Sequence, residues 1–131
     1  MLLEFRVRNF RSIRDEQALN LIASGDKELA ATHLASTGLK SAPHALRTVV
    51  VYGPNASGKS SLLRALDYMR AVVAESATVI QPGQTYNVQP FKLDPATAHQ
   101  PTEFEITFLL SGVRHHYAFA MTPQRIVSES L

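Results

Sequence analysis

The residues best suited to chemistry lie in one short segment, Gly53–Ser60, which reads Gly-Pro-Asn-Ala-Ser-Gly-Lys-Ser. It satisfies the pattern G-x-x-x-x-G-K-[ST] at every fixed position. Gly53 and Gly58 permit backbone angles that a Cβ atom forbids, so successive N–H groups can turn inward around an anion. Lys59 offers a positive charge to the outer phosphates, and Ser60 offers a hydroxyl oxygen to Mg²⁺. The segment is therefore predicted to be a phosphate-binding loop.

Such a loop requires a strand before it and a helix after it. The run Thr48–Tyr52 is continuously β-branched and aromatic, which predicts a strand buried on both faces of a parallel sheet. From Lys59 to about Ser76, apolar side chains recur at spacings of three and four, which predicts a helix. The positive end of that helix adds to the same anion site. Residues 48–76 are thus predicted to form strand, loop and helix.

Alternating segments predict antiparallel strands at both ends of the chain. Leu3–Phe10 alternates apolar and polar residues, with Leu3, Phe5 and Val7 facing inward, and a second strand follows at Ala18–Ile22. Residues 1–22 are therefore predicted to form a hairpin.

The carboxyl-terminal part, residues 102–131, shows the same alternation. Phe104–Phe108 and His116–Ala120 are predicted to pair across a turn at Ser111–Gly112, with a third strand at Ile126–Val127. Adjacent histidines in a strand point to opposite faces, so His115 and His116 are not expected to bind one metal ion.

Two stretches lack any period. Residues 23–46 are predicted to be an irregular insertion with one short helical turn around Lys27–Ala31, because polar and turn-forming residues are scattered through them. Residues 77–101 carry several prolines and are predicted to be loop, with a short extended piece at Pro90–Leu93.

Composition limits the class of protein. The 131 residues include 13 Lys and Arg, 11 Asp and Glu, no Cys, and 45% hydrophobic residues. This is too apolar for a disordered tail, and a net charge of +2 is too small to indicate a nucleic-acid protein. No disulfide or thiolate metal site can form, which fits a reducing compartment. Charge close to the start interrupts any signal peptide, and no run is long enough to span a membrane. We expect one cytoplasmic domain with no membrane partner.

The segments Phe5–Ser12 and Tyr52–Leu66 resemble the amino end of ABC-type ATPase heads of the SMC, RecF and OLD branch. Within that branch they are most similar to bacterial AAA-family ATP-binding proteins found with abortive-infection and anti-phage systems. The resemblance implies an α/β P-loop NTPase fold of the ABC-head kind, with ATP and Mg²⁺ as cofactors. It implies that backbone amides of Asn55–Ser61 hold the phosphates, that Lys59 neutralises them, and that Ser60 binds the metal. The implied nucleotide-binding residues are Gly53, Pro54, Asn55, Ala56, Ser57, Gly58, Lys59, Ser60 and Ser61.

The same resemblance implies further contacts. Arg11 and Ser12, in the basic segment after the first strand, are expected near the nucleotide. A glutamine after the first helix usually reaches the metal in such heads, and Gln89 is the candidate, with Gln84 and Gln100 as rivals.

Two features of these heads are missing from the sequence. No apolar strand ends in Asp-Glu, the pair that binds metal and activates the attacking water. Leu110–Val113 imitates the Ser-Gly signature, but it lies between alternating strands, where Ser-Gly predicts a hairpin turn. We therefore assign no catalytic residue and expect the amino-terminal lobe of a longer ATPase, an incomplete domain. Its parent is expected to dimerise through the nucleotide face and to work with DNA or an effector protein.

Two alternatives remain open at this point. One is a small phosphotransferase, a nucleoside or metabolite kinase, in which the loop serves transfer to an acceptor. The predicted hairpins argue against it, because such kinases alternate strands and helices. The other is a free-standing interaction module of degenerate ATPase ancestry, which does not hydrolyse the nucleotide.

Overall fold

The structure is a computed structural model that describes residues 1–25, 28–75 and 85–131. Its elements in chain order are β1 (Leu2–Arg8), β2 (Gln17–Asn20), α1 (Ala30–His33), β3 (Leu34–Ser36), β4 (His44–Leu46), α2 (Lys59–Glu75), α3 (Pro95–Ala98), β5 (Thr102–Leu110), β6 (Val113–Met121) and β7 (Ile126–Ser130).

The main sheet has five strands in the order β2-β1-β5-β6-β7, and every pairing within it is antiparallel. The alternation of β1 buries Leu3, Phe5 and Val7 on one face, as the sequence predicts. β5 and β6 meet through Ser111 and Gly112, whose φ angles of 52° and 80° are both left-handed. This is the geometry of a two-residue hairpin turn, so the hairpin interpretation of Leu110–Val113 is confirmed.

The helix α2 covers the apolar face of the sheet. Its buried residues Ala65, Met69 and Val72 join a core cluster with the inward-facing residues of β1, β5 and β6. Phe104 lies at the centre of that cluster, with its ring centroid 5.2 Å from that of Phe119. The core therefore fixes the orientation of α2, and with it the position of the loop that precedes α2.

The prediction of a strand at Thr48–Tyr52 is wrong for this structure. Residues 48–52 form no strand, and Val50 and Tyr52 are 67% and 84% exposed. A buried parallel strand needs neighbours on both sides, whereas among the described residues the strands of the main sheet pair with one another and not with this run. The run therefore leads into the loop without pairing to a neighbouring strand.

The exposure of Val50 leads to a prediction about the stability of the domain. Val50→Ser is expected to change the free energy of unfolding by no more than about 0.5 kcal/mol, because the side chain has little packing to lose. The matched change Val7→Ser, in the buried face of β1, is expected to cost more than about 2 kcal/mol. Urea unfolding followed by circular dichroism measures both. A comparable loss for the two variants would contradict the exposed position of Val50.

The stretch predicted to be an irregular insertion contains more regular structure than its sequence indicates. β3 and β4 form a separate two-stranded sheet, and the Leu46 N–H donates to the Leu21 carbonyl at 2.7 Å. The Thr37 hydroxyl donates to the Ala42 carbonyl and closes the loop between these strands. Strands of three residues are too short to show a period, which is why alternation did not reveal them. The helical turn expected around 27–31 forms at Ala30–His33, and Lys27 lies outside the described residues.

The proline-rich stretch also contains one helical turn, α3. The Asp94 side chain accepts from the Ala96 N–H at 2.9 Å, and Pro95 occupies the first helical position. Both are ordinary start signals of a helix. The prediction of loop throughout 77–101 is therefore wrong at 95–98, and residues 77–84 lie outside the described residues. No helix within the described parts of the chain is long and apolar enough to cross a lipid bilayer.

Candidate phosphate-binding site

The segment Gly53–Ser60 forms a tight loop that runs directly into α2. Ala56 and Gly58 have φ angles of 63° and 93°, both in the left-handed region that glycine adopts most easily. A Cβ atom on Gly53 would lie 3.0 Å from the Ser57 hydroxyl oxygen, closer than ordinary packing allows. The structure thus explains both glycines of the motif. Gly58 is favoured by its backbone angle, and Gly53 by the close approach of the Ser57 side chain.

The side chain of Lys59 folds back across this loop. Its ammonium group donates to the carbonyl oxygens of Gly53 and Pro54 at 2.7 and 2.6 Å. The positive charge is therefore held at the mouth of the loop by two backbone acceptors. Phosphate oxygens are stronger acceptors for an ammonium group than neutral carbonyls, so an incoming phosphate can compete for these hydrogen bonds.

The first turn of α2 places two hydroxyl groups beside the loop. Ser60 is exposed, and the Ser61 hydroxyl lies 2.7 Å from the hydroxyl of Ser12. The Leu62 N–H donates to the Gly58 carbonyl at 3.0 Å, so the helical hydrogen bonds begin directly after the loop. The amides ahead of that point have no helical partner and give this end a partial positive charge.

A cavity of about 620 Å³ opens beside the loop. Its lining includes five of the predicted loop residues: Gly53, Pro54, Ser57, Gly58 and Lys59. Asn55 and Ala56 belong to the loop, and Ser60 and Ser61 to the start of the helix, but these four are not among the lining residues. Ser12, expected near the nucleotide, does line the cavity.

The lining of the cavity also includes residues that the sequence analysis did not assign to the site. Arg14, Asp15, Gln17 and Phe91 all line it. The guanidinium of Arg14 lies 2.9 Å from the Asp15 carboxylate, and this hydrogen bond, together with the charge attraction, raises the pKa of Arg14. One sequence feature could have indicated that residues 14–17 belong to the site: they lie between two predicted strands, next to the basic segment.

The other predicted contacts lie further from the cavity. Arg11 is not among its lining residues, and its guanidinium carbon lies 5.9 Å from the centroid of the Phe10 ring. The Gln89 carbonyl accepts from the Arg11 N–H at 2.8 Å, which ties its backbone to the turn after β1, but Gln89 does not line the cavity. Gln100 is bound through its carbonyl to Asn9. Gln84 lies outside the described residues.

The donor set fits magnesium rather than a metal held by protein side chains alone. Within residues 1–25, 28–75 and 85–131, no group of three or more His, Asp or Glu residues could hold a metal ion. Mg²⁺ usually takes one or two protein ligands and completes its shell with water and phosphate oxygens. The exposed hydroxyl of Ser60 at the end of the loop suits that role. His115 and His116 contact different groups, Phe108 and Glu105, which agrees with their predicted opposite faces.

Comparison with known families identifies the domain. A family profile described as "AAA domain, putative AbiEii toxin, Type IV TA system" (AAA_21) matches residues 49–131, which is more than half of the chain. The chain belongs to the AAA_21 family. No match was found among curated proteins or among solved structures.

The AAA_21 match covers the phosphate loop, α2 and the strands β5 to β7. Membership makes the chain an AAA-type, P-loop ATPase-like domain with a nucleotide-binding role, and the structure is α/β with a mainly antiparallel sheet. The assignment to the SMC, RecF and OLD branch goes beyond this match and stays a prediction.

Proposed function

We propose that this AAA_21 domain binds Mg-ATP, with the triphosphate in the loop Gly53–Ser61 and the rest of the nucleotide in the adjoining cavity. The observation that carries the proposal is the ammonium group of Lys59, held across the mouth of a left-handed loop at the start of a 17-residue helix. A cation and a helix N-terminus converge there beside two left-handed residues, Ala56 and Gly58, an arrangement that favours an anion.

Each part of the loop has a separate task in this proposal. The amides of 55–61 donate to the phosphate oxygens, while Lys59 moves its hydrogen bonds from the loop carbonyls to the outer phosphates. Ser60 supplies one oxygen ligand to Mg²⁺, which neutralises phosphate charge when bound. Ser12 faces the same space from the turn after β1. Gln89 remains the proposed metal-side glutamine.

We further propose that hydrolysis belongs to a longer, cytoplasmic parent protein with an ABC-head fold of the SMC, RecF and OLD kind. The sequence has no Asp-Glu strand to activate water, so the domain alone is expected to bind ATP far better than it hydrolyses it. The exposed run Val49–Tyr52 supports this view, because it has the composition of an inner strand without neighbours. The parent would couple ATP to dimerisation through the nucleotide face, or to an effector in phage defence or on DNA.

The test is Mg-ATP binding, measured by isothermal titration calorimetry, for the unaltered chain and for Lys59→Ala. Hydrogen bonds to charged groups contribute about 1.5–3 kcal/mol, so the variant is expected to bind roughly 10- to 150-fold more weakly. Its stability should hardly change, because the hydrogen bonds of the Lys59 side chain with described residues all go to its own loop. Lys40→Ala, at an exposed lysine in the β3–β4 loop, is the matched control and should bind like the unaltered chain.

Two results would overturn the assignment. One is equal Mg-ATP affinity for the unaltered chain and Lys59→Ala. The other is a folded, unaltered chain that shows no binding of Mg-ATP at all.

A further inference from the structure

A buried asparagine at the end of β1 has no part in the proposed phosphate contacts. Asn9 is 2% exposed, and its side-chain amide donates to the carbonyl oxygens of Thr97 and Gln100, both at 2.9 Å. The Pro101 carbonyl lies within 3.2 Å of the same nitrogen. The side-chain oxygen of Asn9 accepts from the Phe91 N–H at 2.9 Å. One side chain therefore holds the backbone of the segment 91–101 at both of its ends.

The backbone around Asn9 reinforces this connection. The Asn9 carbonyl accepts from the Thr102 hydroxyl at 2.8 Å, and the Arg11 N–H donates to the Gln89 carbonyl at 2.8 Å. Asn9 and Arg11 have φ angles of 54° and 52°, both left-handed. Asparagine tolerates that region well and arginine does not, so surrounding contacts must maintain the turn.

The other side of the same turn contacts the phosphate loop. The Ser12 hydroxyl lies 2.7 Å from that of Ser61, and a Cβ on Gly58 would lie 3.7 Å from the Ser12 oxygen. Phe91, whose amide bonds to Asn9, lines the same cavity as Gly58 and Ser12. The turn formed by residues 9–14 thus joins two walls of one cavity, the phosphate loop and the Phe91 segment.

We propose that Asn9 is a positioning residue for the nucleotide cavity: it holds Phe91 as the wall against the nucleoside part of the ligand. The inference rests on the proposed function. Asn9 does not touch the ligand, and it acts by fixing the backbone of 91–101 relative to the phosphate loop. A ligand that consists of phosphates alone needs the loop but not this wall.

Inorganic tripolyphosphate therefore serves as the comparison ligand. The chain has no Trp, so Phe91→Trp introduces a single fluorescent reporter into the cavity wall. In that background, Asn9→Ala is expected to weaken Mg-ATP binding roughly tenfold, because it removes the hydrogen bonds that hold the backbone at Phe91, Thr97 and Gln100. Affinity for Mg-tripolyphosphate, measured by calorimetry, should stay within about twofold. Asn20→Ala, at an exposed asparagine that ends β2, is the matched control and should change neither affinity.

The ratio of the affinities for Mg-ATP and Mg-tripolyphosphate distinguishes a residue that positions Phe91 from one that only stabilises the fold. Equal weakening of both ligands, or no weakening of either in a folded Asn9→Ala protein, would overturn the proposal for Asn9. Failure of the proposed Mg-ATP binding itself would give a different result. In that case the Phe91→Trp chain and its Lys59→Ala derivative would bind ATP equally, or neither would bind it.

The unaltered chain provides a measurement that does not depend on the folding of any variant. Mg-ATP is expected to slow amide hydrogen exchange at Phe91 and Arg11, whereas Mg-tripolyphosphate slows it only in the phosphate loop. Protection confined to the loop with both ligands would contradict the proposed wall.

Discussion

Gly58→Val is expected to weaken Mg-ATP binding by more than about 100-fold. Gly58 has a φ angle of 93°, and a β-branched residue in that region costs about 1–3 kcal/mol of strain. Relief of the strain would turn the loop amides away from the phosphates and lose charged hydrogen bonds of about 1.5–3 kcal/mol each. Calorimetric titration of Mg-ATP into the variant measures the effect.

A second left-handed glycine provides the control for strain. Gly38 has a φ angle of 75° and open space around its Cβ position, but it lies in the loop between β3 and β4. Gly38→Val should therefore lower the stability without changing the affinity for Mg-ATP. If both valine variants bind as well as the unaltered chain, the conformation of Gly58 does not matter for the ligand.

Phe104→Ala is expected to cost about 3–5 kcal/mol in the free energy of unfolding, a large share of the roughly 5–15 kcal/mol typical of a domain. Phe104 is 1% exposed, and its ring lies 5.2–5.8 Å from those of Phe10, Tyr68 and Phe119. Removal of this ring leaves a cavity between α2 and the sheet that its neighbours can fill only in part. Urea unfolding followed by circular dichroism at neutral pH measures the loss.

The matched control lies in the same strand. Leu110 is 59% exposed at the end of β5, and Leu110→Ala should cost less than about 1 kcal/mol. Similar costs for the two variants would mean that Phe104 does not lie at the centre of the core. Because α2 carries the phosphate loop, Phe104→Ala is also expected to weaken Mg-ATP binding in proportion to its unfolded fraction.

The strands and the helix were predictable from the sequence where the pattern of apolar and polar residues extends over many positions. β1, β5 and β6 have seven to nine residues each, long enough for alternation to identify a buried face, and α2 has the regular spacing of a helix that covers a sheet. The short elements were not predictable in this way. β3 and β4 form through the bonds of Thr37 and through pairing with the residues after β2, which no local period records.

The run Thr48–Tyr52 shows the limit of composition as evidence. Its residues favour a buried strand, yet a strand exists only where a neighbouring backbone completes its hydrogen bonds. In the described structure the five strands of the main sheet pair with one another and none pairs with this run, which stays exposed. The antiparallel sheet also agrees poorly with the alternation of strands and helices expected of a small kinase.

The sequence by itself determined the loop Gly53–Ser60, to which we assign phosphate binding, and the helix after it. The requirements of such a loop are local: two glycines, a lysine and a serine within eight residues, followed by a helix. Only the tertiary structure decided what faces that loop. Arg14, Asp15, Gln17 and Phe91 reach the cavity because β1 and β2 turn at one of its sides and Asn9 holds the backbone at Phe91. Asn9 and Phe91 are separated by 82 positions in the sequence. Contacts over such a separation are set by the pairing of strands and the packing of the core, not by neighbouring residue types.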